Sequence, residues 1–195
     1  MLKWLSSLFI IAGLVCLAVF GYQYMQTEQA REQSMAEAQE SISAGGQSEE
    51  NGMPINADDF DPELYAAIGT LEIPKLEKTL PIVEGTDPDA LDKGIGHLLN
   101  SVFPGQGEQI VLSGHRDTVF RNFDQIEIGD QFTVTMPYGT YTYEIRETEI
   151  VPEDDTSVIR SMGEEVLVVT TCYPFHYVGN APERFVTYAY PVDSQ

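Results

Sequence analysis

Glu165-Val166-Leu167-Val168-Val169-Thr170-Thr171-Cys172 is a β-branched, apolar run that ends in a thiol, and Tyr173-Pro174-Phe175 breaks the pattern directly after it. Valine and threonine suit a pleated surface, and a run this short between breakers reads as a strand rather than a helix. Working outward, further short runs rich in Val, Ile, Tyr, Phe and Thr alternate with Gly, Pro and Asp punctuation. They predict strands over residues 70–73, 80–83, 97–99, 109–113, 131–135, 140–151, 165–171 and 184–190. Pro137-Tyr138-Gly139 predicts a hairpin turn between the fifth and sixth of these. In Tyr141-Thr142-Tyr143-Glu144-Ile145-Arg146 the apolar residues alternate with polar ones, as in a half-buried strand. Residues 87–93 predict one short helix, with Pro88 in its first turn and Gly94 ending it. Eight strands with so little helix predict an all-β fold, a closed or nearly closed eight-stranded barrel with one or two short helices.

The 195 residues carry 31 acidic and 10 basic side chains, a formal charge of -21. Such a surface repels phosphates, so nonspecific binding of nucleic acid is disfavoured, while cationic partners such as amines are admitted. Of the two cysteines, Cys16 lies inside an apolar segment and Cys172 in the β-rich part, so no disulfide framework is implied.

That apolar segment has no charged residue between Trp4 and Thr27. Residues 5–25 have the length of a membrane-spanning helix, flanked by Trp4, Tyr22 and Tyr24 where interfacial aromatics belong. Lys3 precedes it and acid-rich sequence follows Glu28, which predicts residues 1–4 in the cytoplasm and the rest outside the cell. A cleaved signal peptide is the alternative, but no small-residue cleavage site follows the run. A lipoprotein reading through Cys16 meets a bulky Val15 at the position where a small residue is expected. Residues 26–62 read as a spacer. Residues 28–40 are able to prolong the helix, and 41–61, with Gly45-Gly46, Gly52 and Pro54, read as flexible. The folded domain is then 63–195.

Three histidines occur, His97, His115 and His176. His115 opens a polar loop straight after the strand 109–113, Cys172 ends another strand, and Arg184 begins the last one. If these ends meet at one rim they assemble a thiol nucleophile, an imidazole that exchanges protons and a guanidinium that holds an oxyanion, which is the equipment of acyl transfer. Taken singly, each has an ordinary alternative: a cysteine ending a strand is commonly a small buried hydrophobe, and a loop histidine commonly surface. A metal site from Cys172, His176 and another histidine lacks the paired-cysteine pattern.

Leu112-Ser113-Gly114-His115-Arg116-Asp117-Thr118, Thr171-Cys172-Tyr173-Pro174-Phe175 and Tyr177-Val178-Gly179-Asn180-Ala181-Pro182-Glu183-Arg184-Phe185 resemble the sortases, most closely class D. Gly94-Ile95-Gly96-His97 and Ser101-Val102-Phe103-Pro104-Gly105 are similar to that family as well, so the likeness runs from about Gly69 to Pro191. One departure is visible. Val168-Val169 precedes Thr170-Thr171-Cys172 where class D often has Thr-Leu, which bears on substrate preference and not on the nucleophile.

The resemblance implies Cys172 as nucleophile, His115 as general acid/base and Arg184 as substrate and oxyanion stabiliser. It implies a transpeptidase that cleaves a C-terminal Leu-Pro-x-Thr-Gly or Leu-Pro-Asn-Thr-Ala sorting signal of surface proteins. The acyl group would pass to an amine of peptidoglycan or its lipid-linked precursor, at the outer face of the membrane. Thr170, Thr171, His97, His176 and Pro182 are candidates for contact with substrate, each with an ordinary structural role as its alternative. Asp117 is a candidate to orient His115 or to cap its loop. No cofactor or required metal is expected. Glu147/Glu149 and Glu153-Asp154-Asp155 would bind Ca²⁺ only as stimulation of the kind some relatives show, and a solvated acidic face is the default. A cysteine hydrolase with the same triad and a non-catalytic, membrane-tethered binding module are the rival functions.

Overall fold

A computed structural model describes residues 2–50, 52, 55–177, 179 and 181–192, with backbone alone at 2, 3, 5–8 and 50. A long helix, α1 (Leu2–Glu50), precedes strands β1 (Ala67–Ile73) and β2 (Lys78–Glu84), a one-turn helix α2 (Pro88–Leu91), and β3 (Ile95–His97). There follow β4 (Gln109–Gly114), β5 (Gln131–Met136), β6 (Gly139–Pro152), β7 (Val166–Tyr173) and β8 (Glu183–Pro191). The strands close a barrel, as the sequence predicts, and their order in it is β1-β2-β3-β4-β7-β8-β6-β5. Pairing is parallel at β2–β3 and β4–β7 and antiparallel elsewhere. The helix expected over 87–93 is held to one turn, capped by the Asp87 carboxylate, which accepts from the Asp89 and Ala90 N–H groups.

β7 lies between β4 and β8 and explains its own composition. Leu167 and Val169 face the barrel core with Ile110, Leu112, Phe132 and Ile145. Val166 and Val168 face the other way, yet are buried in a second cluster with Val111, Val151, Val186 and Tyr188. Val158 and Met162, from the β6–β7 connection, cover that outer cluster. A strand covered on both faces needs apolar residues at consecutive positions, which is why this run does not alternate.

β3 begins two residues earlier than the sequence predicts and ends at His97. Register pairs His97 with Glu84 of β2, and His97 Nδ1 lies 2.8 Å from the Glu84 carboxylate. Its Nε2 lies 3.0 Å from both the Val102 carbonyl and Ser101 Oγ, and its ring stacks on Phe103. The side chain is 1% exposed and both ring nitrogens are engaged. His97 is therefore part of the β2–β3 framework, and no nitrogen is left for a substrate.

Of the stretch 41–61 expected as flexible, residues 41–50 are helical. α1 continues through Ser41 and the Gly45-Gly46 pair to Glu50, and it packs along β1 and β2 with a touch on β5. Its contact stripe is built of small residues, Ser34, Ala38 and Gly45, all buried. Their spacing keeps one face of the helix on the barrel. An added Cβ at Gly45 would collide with the Pro137 carbonyl of the β5–β6 turn, whereas Gly46 points into open space. Beyond α1, Ala57–Asp59 form a 3-10 turn, and Phe60 packs edge-on against Phe103 and Tyr138. Helix propensity and docking together outweigh the glycines. Towards its start, the same helix exposes Phe9, Ile10, Leu14, Leu17 and Phe20, and it is long and apolar enough to cross a membrane.

Gly45→Leu should therefore undock α1. Hydrogen exchange of the full chain in detergent is expected to speed up over residues 34–48 in Gly45→Leu and to stay unchanged there in Gly46→Leu. Equal behaviour of the two variants would count against the seam.

Candidate active site

Strand register gathers the three expected chemical groups. β4 and β7 run parallel with Gly114 opposite Thr171, so His115 and Cys172, one residue further on, leave the barrel at the same end. β8 runs back along β7 with Arg184 opposite Cys172. The buried Thr171 hydroxyl donates to the Gly114 carbonyl at 2.8 Å and fixes the first pairing at its last rung. Gly114 has no room for a side chain, because Phe120 and Val119 lie where a Cβ would go. The loop folds back at once, and the His115 carbonyl accepts from the N–H groups of Thr118 and Phe120.

His115, Cys172 and Arg184 line one cavity of about 410 Å³, together with Thr118, Glu153 and Ala181. His115 and Cys172 are half-buried, and Cys172 is a free thiol. Arg184 is aimed by its own neighbours. Nη1 donates to the Ala181 and Glu183 carbonyls at 3.0 and 2.9 Å, and Nη2 reaches the Glu153 carboxylate at 3.4 Å. Among the described residues, Nε–H and one Nη2–H remain for an oxygen in the cavity. Glu153 is itself tied down through its N–H to the Pro182 carbonyl.

The other candidates lie elsewhere. Thr171 supports the β4–β7 rung, and Thr170 is a half-buried strand residue between Ser113 and Val186. Pro182 is exposed and contributes its carbonyl to Glu153 rather than a wall to the cavity. His176 is 89% exposed, 3.7 Å from Asp124, and borders an adjoining cleft. Val178 and Asn180, within the segment resembling class D, lie outside the described residues. Of the acidic clusters, Glu149 accepts from the Tyr188 hydroxyl and Asp155 from the Ser157 N–H.

Two residues of the cavity were not read from the sequence as neighbours of the thiol. Glu153 belongs to a run that reads as solvated surface, and only its register beside β8 gives it a partner. Arg116 is 7% exposed and lines the cavity. Its Nη1 donates to the Pro174 carbonyl at 2.7 Å, tying the loop after His115 to the loop after Cys172. Its Nε and Nη2 donate to both oxygens of Asp117, at 3.0 and 2.9 Å. Asp117 is thus bonded to Arg116 and not to His115. The signal in the sequence was the basic–acidic pair directly after the histidine. Hydrogen bonding to Arg116 is the largest of the effects that hold the Asp117 carboxyl below its usual range, with the charges of Arg116, Arg121 and His115 adding to it.

A carboxyl depressed on folding stabilises the folded state above the ordinary aspartate range, about 3.9, and loses that contribution as pH falls through its lowered value. Asp117→Asn is expected to melt below the wild type at pH 7, with the gap closing as pH is taken below the ordinary aspartate range. Melting curves at several pH values test this, and a gap independent of pH would refute the assignment.

The Sortase domain family model matches residues 71–192. The chain is 48% identical over 193 residues to sortase D of Bacillus subtilis (strain 168), covering 96% of this chain and 98% of the relative. It superposes on a Clostridium perfringens sortase D5 transpeptidase with a TM-score of 0.71 at 23% identity, over 84% of this chain and 99% of the other. With the catalytic domain of SrtD from B. anthracis the TM-score is 0.59 at 38% identity, over 69% of this chain and 92% of that domain. A family match spanning the barrel and this degree of identity over almost the whole length place the chain in the sortase family, class D.

Proposed function

We propose that this cysteine transpeptidase cleaves a C-terminal Leu-Pro-x-Thr-Gly or Leu-Pro-Asn-Thr-Ala sorting signal after its threonine and joins the new acyl end to an amine of peptidoglycan or its lipid-linked precursor. The observation that carries this reading is the convergence of three strand ends on one cavity. The Cys172 thiolate attacks the threonine carbonyl, and a C–S bond forms. The remaining N–H donors of Arg184 receive the oxyanion, in a guanidinium already aimed by Ala181, Glu183 and Glu153, so little ordering is left for the moment of reaction. His115 gives a proton to the departing amine as the C–N bond breaks, leaving a thioester on Cys172. The incoming amine then reverses the sequence with a different group. Water competes for the same thioester, so hydrolysis and transfer share one intermediate.

In this reading residues 5–25 form the membrane anchor, with residues 1–4 in the cytoplasm and the barrel at the outer face. Excess acid after the apolar segment and Lys3 before it support that orientation. An enzyme and a substrate anchored in one membrane meet at a raised effective concentration.

Full-length enzyme with a panel of fluorogenic sorting peptides and an amine acceptor tests the proposal. Cys172→Ala is expected to abolish turnover, and Arg184→Lys to lower kcat/KM by ~10²–10³, the range for loss of a preorganised oxyanion donor. Full activity in Cys172→Ala, or no turnover with any peptide of the panel, would sink it. Free acid as the sole product at high amine would make the enzyme a hydrolase.

A further inference from the structure

The two ends of the barrel differ in what they carry. β6 starts beside the β5–β6 turn at Pro137 and ends at Pro152, which pairs with Glu183, next to Arg184 opposite Cys172. The turn and the reaction cavity therefore mark opposite ends. The β1–β2 connection lies at the cavity end. Lys78, the first residue of β2, donates from Nζ to the Val119 and Arg121 carbonyls at 3.1 and 2.7 Å, on the loop that begins with His115.

α1 joins these ends. Gly45 meets the Pro137 carbonyl at the far one. Traced back towards its start, the helix keeps its contacts with β1 and β2, and Ala38 and Ser34 stay buried. A helix that touches the last turn of a barrel and goes on packing along its strands can only climb towards the other end. From Gly45 back to Arg31 it covers about 21 Å, close to the ~23 Å of a seven-residue strand such as β2. Arg31 arrives near Lys78: burial first, then the charges of Arg121 and Arg31, hold that ammonium below its usual range. Gln23, Gln26, Thr27 and Ala30 still border a cleft shared with Asp92. The folded domain thus begins almost where the apolar segment ends.

We propose that the end of the barrel bearing Cys172 is its membrane-proximal end and that the reaction cavity opens beside the lipid headgroups, an inference that rests on reading residues 5–25 as the anchor. Arg31 stands six residues after Met25, or about 9 Å of helix, so the rim lies about a nanometre from the bilayer. Basic side chains gather at this end. Arg31, Lys75 in the turn between β1 and β2, Lys78, Arg116, Arg121 and Arg184 are six of the ten in the chain. Carboxylates accompany four of them: Glu28 at Arg31, Glu127 and Asp130 at Lys75, Asp117 at Arg116 and Glu153 at Arg184. This is therefore no basic patch, but the cations lower the repulsion that a chain at -21 meets from lipid phosphates. Reactants held in the same membrane reach the thiol without passing round the barrel.

The test uses the full-length chain in vesicles of phosphatidylcholine and phosphatidylglycerol that carry dansyl-labelled headgroups. Trp4 is the only tryptophan, so Trp4→Phe gives a dark background for one reporter at a time. His176, on the loop after β7, is exposed at the cavity end. Leu99 is exposed at the other, just past β3, which runs parallel to β2 and away from the cavity. Energy transfer to dansyl is expected to be several-fold stronger from His176→Trp than from Leu99→Trp. Tyr177→Trp and Leu64→Trp repeat the comparison from exposed positions at the same two ends. Transfer from the far reporters that equals or exceeds that from the near ones would overturn the proposal. Flotation of the vesicles separates the two levels. A chain that floats and shows equal or reversed transfer refutes the orientation alone. A chain that does not float brings down the anchor and the orientation with it.

Discussion

Everything at the rim depends on the parallel pairing of β4 with β7. Two parallel neighbours necessarily finish at the same end of a barrel, and the first residues beyond them are neighbours in space although more than fifty positions separate them in the chain. The pairing is pinned by the Thr171 hydroxyl on the Gly114 carbonyl, one residue short of Cys172 and His115. A slip by one residue would turn Cys172 to the opposite face of the sheet and away from His115. The arginine arrives by the simpler antiparallel return of β8. The geometry of the candidate site is thus a matter of register, with the loops adding the fine aim.

Register of this kind has to be held by something stiffer than hydrogen bonds. On β7, consecutive valines and leucine are clamped between the barrel core and an outer cluster, so the strand has no exposed face along which to slide. At the other parallel junction the clamp is polar. Glu84 and His97 form a buried pair between β2 and β3, and such pairs are costly to break because the survivor is left unpaired in a dry setting. One parallel seam carries the candidate site, and the other carries a buried histidine–carboxylate contact that belongs to the scaffold.

The sequence was most legible where a local pattern has one physical solution. Alternation in β6, the double-sided run of β7 and the punctuation between strands allowed a barrel and little else. That Cys172, His115 and Arg184 meet at one rim was legible because each sits next to the end of a strand, where side chains project from the rim. His97 was not, since a histidine one residue from a turn looks alike whether it faces solvent or an internal glutamate; only the β2–β3 register decides. Glu153 and Arg116 escaped for a related reason: their partners, Arg184 and the Pro174 carbonyl, are distant in sequence. The continuation of α1 through Gly45-Gly46 was not legible because glycine lowers helix propensity locally, while the close approach of helix to barrel at Pro137 calls for glycine.

That docked helix alters how the enzyme is held if its apolar start lies in the bilayer. A slack cord would leave the barrel free to turn and would set only its reach. A helix joined without a break to the seam at Ser34, Ala38 and Gly45 behaves like a key on a shaft, where height and heading are coupled. One residue inserted between Met25 and Ser34 would lift the barrel by ~1.5 Å and swing its rim by roughly 100° about the shaft. A few added residues could point the thiol away from the membrane, while a full turn's worth would restore its bearing. The length of this stretch is therefore constrained in steps of the helical period, a restriction of a kind that amino-acid composition alone does not impose.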